Sequence, residues 1–122
     1  MSFESFENLD VWKRSSRLAL DILKLTRSWE GDFALRDQLN RSAISIPSNI
    51  AEGYDRASGP DTLRFLKIAQ GSSAELRTQL YLAKGLGLIE SSHLIEKAKE
   101  SSAMLQSLIQ YRQRRIQEEP EP

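Results

Sequence analysis

Apolar residues recur along this chain at intervals of three and four, the period of an amphipathic helix, and no stretch shows the alternation of a strand. The segment that organises the rest runs from Leu35 to Glu52 and closes with RSAISIPSNIAEG. Projected as a helix, Leu35, Leu39, Ala43, Ile46 and Ile50 fall within an arc of roughly 80°. On one flank lie Gln38, Ser42, Ser45, Asn49 and Glu52, a polar seam between core and solvent that needs hydrogen-bond partners. Pro47 interrupts this helix at a cost of roughly 3 kcal/mol. Because the apolar period runs through Pro47 in phase, the pattern predicts one kinked helix; the alternative is two helices meeting at that proline. Asn49 and Ser45 are the candidates to satisfy the backbone groups that Pro47 disturbs. Gly53 is expected as a left-handed C-cap.

Three further helices follow from the same pattern. Helix one is expected from about Leu9 to Trp29, with Val11, Leu18, Ile22, Leu25 and Trp29 inward, behind a short lead whose Phe3 and Phe6 can dock on the bundle. Helix three is expected from about Pro60 to Leu86, opened by the Ser58-Gly59-Pro60-Asp61 cap. It carries two stripes. Leu66, Ala69, Ser73, Leu76, Leu80 and Ala83 form one. Ile68, Gly71, Glu75 and Leu82 form another, turned by roughly 120° or more. A two-sided helix is either buried on both sides or used again in a subunit contact. Gly71, beside Ser72 and Ser73, suggests close approach of another backbone, and Glu75 reads as an interfacial acid or an exposed one. Gly85 and Gly87 end the helix in a tight turn over Leu88 and Ile89. Helix four is expected from Ser91 or Ser92 to about Gln117. Four long helices joined by short loops predict an all-α, up-down-up-down antiparallel four-helix bundle over residues 1–117, followed by an acidic tail at 118–122.

Charge adds one feature. Lys and Arg number 17, as do Asp and Glu, which argues against unspecific nucleic-acid binding by the molecule as a whole. Yet between Val11 and Arg27 there are five basic residues against one acid, Asp21. Lys13, Arg17, Lys24 and Arg27 share an arc of roughly 80° away from the core. The row reads either as a solvated helix face or as a stripe for phosphates. Arg112, Arg114 and Arg115 are accounted for by the dipole at the end of helix four.

Little else suggests chemistry. The chain has no cysteine, so disulfides and thiolate metal sites are excluded. His93 has no second histidine as a co-ligand and is expected at a helix cap, so no metal or other cofactor is predicted. Glu52 and Glu75 would be a carboxylate pair without a nucleophile, an orienting partner or an oxyanion site, which points away from an enzyme. The acidic N-terminus does not resemble a signal peptide and no apolar run is long enough to span a bilayer. The expectation is a soluble cytoplasmic protein with no membrane contact.

At RSAISIPSNIAEG and FLKIAQGSSAEL the chain resembles the four-helix-bundle proteins encoded in intervening sequences of bacterial 23S ribosomal RNA genes, sometimes labelled S23. The likeness runs from LDVWKRS to about GLGLI. The accessory variability protein of diversity-generating retroelements looks like a relative. The resemblance implies a cytoplasmic bacterial homopentamer without known catalysis. For the retroelement relatives it implies a basic surface that binds nucleic acid and a reverse-transcriptase partner. It places the family's polar signature on Ser45, Pro47, Asn49, Glu52 and Gly53, and on Gly71, Ser72 and Glu75. The departure is charge, since the retroelement proteins are strongly basic and this chain is neutral. Two functions follow as expectations. One is an oligomeric module that binds RNA or an RNA-associated protein through the helix-one row. The other is a protein-only scaffold.

Overall fold

The computed structural model describes residues 5–56 and 58–118. A 3-10 turn at Phe6–Asn8 leads into α1 (Asp10–Thr26), α2 (Phe33–Tyr54), α3 (Gly59–Gly85) and α4 (His93–Glu118). Each helix packs on the next and α1 also packs on α4, which closes the four into a ring. Residues pair in opposite order along α2 and α3, Ser42 with Gln79, Ser45 with Ser72 and Gly53 with Thr62, so the helices are antiparallel. The all-α bundle expected from the apolar period is the observed fold. Phe6 stacks edge-on against Trp12, with ring centroids 5.2 Å apart. Phe3 and all of the acidic tail except Glu118 lie outside the described residues.

The helix ends follow local chemistry. Ser58 accepts a hydrogen bond from the Asp61 amide at 3.1 Å, while Pro60 and Asp61 occupy the first turn of α3. At its other end Gly87 adopts φ +77°. The Leu88 amide donates to the Ala83 carbonyl and the Gly87 amide to that of Lys84. This is the paired 6→1 and 5→2 closure that favours glycine at the left-handed position. It turns Ile89 into the core. α1 ends at Thr26, three residues before the expected Trp29, where the Thr26 hydroxyl donates to Asn40 of α2 at 2.8 Å.

The core holds the inward residues of all four helices. Ile22, Leu39, Ile50, Leu66, Leu76, Leu80 and Leu105 are fully buried, and every member of the first α3 stripe is inside. On α4 the buried serine is Ser101, with Ser102 only half-buried.

α2 is one continuous helix through Pro47. The Asn49 side-chain amide donates to the Ser45 carbonyl at 2.8 Å and to the Ser45 hydroxyl at 3.0 Å. The Ser48 hydroxyl donates to the Ile44 carbonyl at 2.8 Å. Side chains thus hold the two carbonyls that follow Ala43, whose own partner the proline removed.

Gly53 corrects the sequence reading. It is not a left-handed cap: α2 continues to Tyr54, Asp55 closes it in the right-handed region, and Gly53 is buried. A Cβ there would stand 3.0 Å from the Phe65 Cβ and 3.1 Å from the Thr62 carbonyl oxygen. The Thr62 hydroxyl donates to the Gly53 carbonyl at 2.8 Å. Glycine is required because α3 crosses α2 too closely for a side chain.

Candidate nucleic-acid interface

The four cations of the helix-one row, Lys13, Arg17, Lys24 and Arg27, are all exposed. The structure divides them. Arg17 and Lys24 line a cleft of about 400 Å³ between α1 and α4, whereas Lys13 and Arg27 lie on α1 outside it. Arg14 of α1 and Lys97 of α4 complete its basic lining, and Leu18 lies at its apolar floor. Two carboxylates, Asp21 and Glu100, share the cleft. Arg14 donates to Glu100 at 3.0 Å, an ion pair whose two side chains are each about half exposed. Among the described residues no ion pair engages Arg17, Lys24 or Lys97.

Lys97 and Glu100 were not singled out in the sequence. They flank the inward stripe of α4 beside Ala98 and Ser101, and α1 neighbours α4 in a closed ring of four. Projection of α4 onto α1 was the signal that could have found them.

The polar signature lies across the ring, where α2 meets α3. Ser42 donates to the Gln79 side chain at 2.6 Å, and the Ser45 and Ser72 hydroxyls lie 2.8 Å apart. Ser42 is buried, while Ser45, Pro47, Asn49 and Ser72 are half-buried. That part of the seam is inside and hydrogen-bonded. The rest is not. Glu52 is exposed and pairs with Arg56 at 2.7 Å. Glu75 is exposed and borders a shallow groove of about 490 Å³ whose walls include Leu35, Ala74 and Leu82. Gly71 is exposed and a Cβ there meets nothing within 4 Å, so no backbone of the same chain approaches it. The second α3 stripe is accordingly open, with Ile68 43% and Leu82 55% exposed.

Lys99 on α4 is held above the ordinary lysine range by its hydrogen bond with Tyr81 and then by the charge of Glu96. This is an exposed surface contact that leaves the ammonium charged, the opposite of what a lysine base needs. Among the described residues no group of three or more His, Cys, Asp or Glu side chains is placed to hold a metal ion. His93 opens α4 and is exposed. No helix of the described residues is long and apolar enough to cross a membrane.

Residues 7–107 match the family model described as 23S rRNA-intervening sequence protein. The fold is similar to that of a crystal structure from Bacteroides thetaiotaomicron VPI-5482, described as a protein with unknown function from the S23 ribosomal protein family. The TM-score is 0.77 and the identity 26%, with 81% of this chain and 97% of that one covered. No curated protein matches.

Proposed function

Since the chain belongs to the 23S rRNA-intervening sequence protein family, we propose that it is a non-enzymatic helical module that assembles with copies of itself. Sister chains pack on the outer α2–α3 face, and the basic α1 side stays open to RNA or an RNA-associated protein. The observation that carries this reading is the unpartnered second stripe of α3. Ile68 and Leu82 stand in solvent, Leu82 lines an apolar-walled groove, and small residues such as Gly71 permit close approach of another chain. A homopentamer is the proposed state. A ring of that kind uses two different patches on each protomer. Ile44, 45% exposed and on the flank of α2 away from α3, supplies an apolar residue for the second. The motif likeness to the retroelement accessory variability protein supports the nucleic-acid half, and the cysteine-free chain suits the cytoplasm.

Light scattering after size exclusion tests the assembly. Wild type at micromolar concentration should show a mass near five times the 13.9 kDa chain. Ile68→Asp combined with Leu82→Asp should yield a helical monomer. A stable wild-type monomer overturns the proposal. The protein-only scaffold is favoured by the equal counts of acids and bases and separates by charge reversal. Lys13→Glu, Arg17→Glu and Lys24→Glu together should abolish RNA retention and leave the oligomer intact. Absence of RNA retention by wild type leaves the scaffold standing.

A further inference from the structure

The cleft between α1 and α4 has a more specific use than the helix-one row suggests. We infer that it is a seat for the phosphodiester backbone of RNA, contacted without regard to base identity by Arg17, Lys24 and Lys97. Glu100 acts there as an internal competitor for Arg14. The inference rests on the nucleic-acid half of the proposal above and narrows it to one site and one chemistry.

Three observations lead there. First, four cations elsewhere in the bundle pair with a carboxylate close by in sequence: Arg36 with Asp37, Arg56 with Glu52, Arg64 with Asp61, Lys99 with Glu96. Arg17, Lys24 and Lys97 instead converge from two helices on one recess. A recess with low-dielectric walls concentrates the field of its charges more than a flat face does. Second, Arg17 and Lys24 are seven residues apart, about 10 Å along the helix axis. Lys13 and Arg27 extend the same line beyond the cleft in both directions. A row of that kind suits a linear polyanion better than a single small anion. Third, the cleft holds no aromatic side chain, and its apolar members are Leu18, which is buried, and the rim residue Leu20.

Without an aromatic platform, bases have nothing to stack on, and sequence preference has no source. Without deep apolar pockets, an acidic peptide lacks the anchors that hold most peptide ligands. What remains is recognition of phosphate charge, in which the Arg17 guanidinium can take two oxygens at once. The Arg14–Glu100 pair is exposed and so only weakly held. A phosphate entering the cleft can take Arg14 from Glu100, adding a fourth cation.

The test is fluorescence anisotropy of labelled oligouridine and oligoadenine on the full chain across a salt series. Single-stranded RNA loses affinity with a slope of about 0.7 per phosphate contacted, so three contacts give a slope of about 2. Lys97→Glu should weaken binding roughly tenfold at low salt and lower that slope. Glu100→Gln should tighten binding several-fold, since it removes a repelling charge and frees Arg14. Lys99→Glu, on the exposed side of α4 that meets Tyr81 of α3, should change neither. Circular dichroism should show all three folded.

If wild type binds neither RNA, the nucleic-acid half of the proposed function falls and the cleft with it. If wild type binds RNA while Lys97→Glu and Glu100→Gln behave as wild type, the cleft assignment falls alone. Equal weakening by Lys99→Glu, or a strong preference between the two RNAs, also overturns it. Displacement of RNA by poly-glutamate at equal charge concentration overturns it in favour of an acidic polypeptide.

Discussion

Gly53→Ala is the substitution whose outcome the structure determines most sharply. In an ordinary helix interior the change would stabilise by about 1 kcal/mol, because alanine is the better helix former. At Gly53 the new methyl would meet the Phe65 Cβ at 3.0 Å and the Thr62 carbonyl oxygen at 3.1 Å. Neither atom belongs to a flexible side-chain end. The Phe65 ring is further held by Arg56 and Arg64, whose guanidinium carbons stand 4.7 and 4.5 Å from its centre. Relief therefore requires the C-terminal turn of α2 and the first turns of α3 to separate. Overpacking of this kind costs roughly 1–3 kcal/mol. Separation also stretches the 2.8 Å hydrogen bond from Thr62 to the Gly53 carbonyl, worth about 1 kcal/mol. The net is a loss of roughly 1–3 kcal/mol. Urea unfolding at a fixed protein concentration should show a lower midpoint with an unchanged slope. Gly71→Ala is the matched comparison. Nothing in the same chain lies within 4 Å of its Cβ position, so in the monomeric Ile68→Asp, Leu82→Asp background, where no sister chain approaches, it should stabilise by about 0.4–1 kcal/mol. Gly53→Ala at or above the wild-type midpoint would refute the close crossing of α2 and α3.

Asn49→Ala should cost roughly 1–3 kcal/mol by denaturant unfolding, since its amide serves both oxygens of Ser45 beside the Pro47 break; a shift within about 0.5 kcal/mol would place it with ordinary surface changes. Ser58→Ala removes the hydroxyl that accepts from the Asp61 amide and should cost about 1 kcal/mol. A thermal midpoint unmoved by that change would mean Pro60 and Asp61 hold the α3 start without it.

Where the sequence reading succeeded, the evidence for it was local and periodic. All six residues of the first α3 stripe are buried, because a core face is dictated by spacing alone. Pro47 was legible as a mid-helix proline because the apolar phase continued beyond it. Gly53 failed for the opposite reason. Glycine after the last apolar residue of a helix fits a C-cap, and only the approach of Thr62 and Phe65 from the next helix shows why it is there. Of the clustered small residues at 71–73, Ser72 bonds to Ser45 and Ser73 is buried, while Gly71 faces outward with nothing in the same chain within 4 Å of its Cβ position. Lys97 went unnoticed because its partners lie on α1, far off in sequence, and wheel arithmetic on one helix does not say which neighbour a flank will meet.

The two unassigned surfaces gain meaning from their positions in the ring. α1 contacts α2 and α4, and α3 contacts the same two helices, so the α1–α4 cleft and the α2–α3 face lie on opposite sides of the bundle. A sister chain covering the outer side of α3 leaves Arg17, Lys24 and Lys97 uncovered. Assembly would then multiply a weak site instead of hiding it. Three cations in a protein of zero net charge would make only a modest contact with one RNA strand. Several such clefts presented together to one RNA convert the later contacts into intramolecular ones, and affinity rises without new chemistry at any site. Neutral overall charge is then compatible with RNA binding. It would suppress adherence of stray single chains to nucleic acid and leave useful affinity to the proposed assembly. On this view the exposed Ile68 and Leu82 and the cations of α1 belong to one device, and the monomeric Ile68→Asp, Leu82→Asp chain should keep its cleft intact while losing most of its hold on RNA.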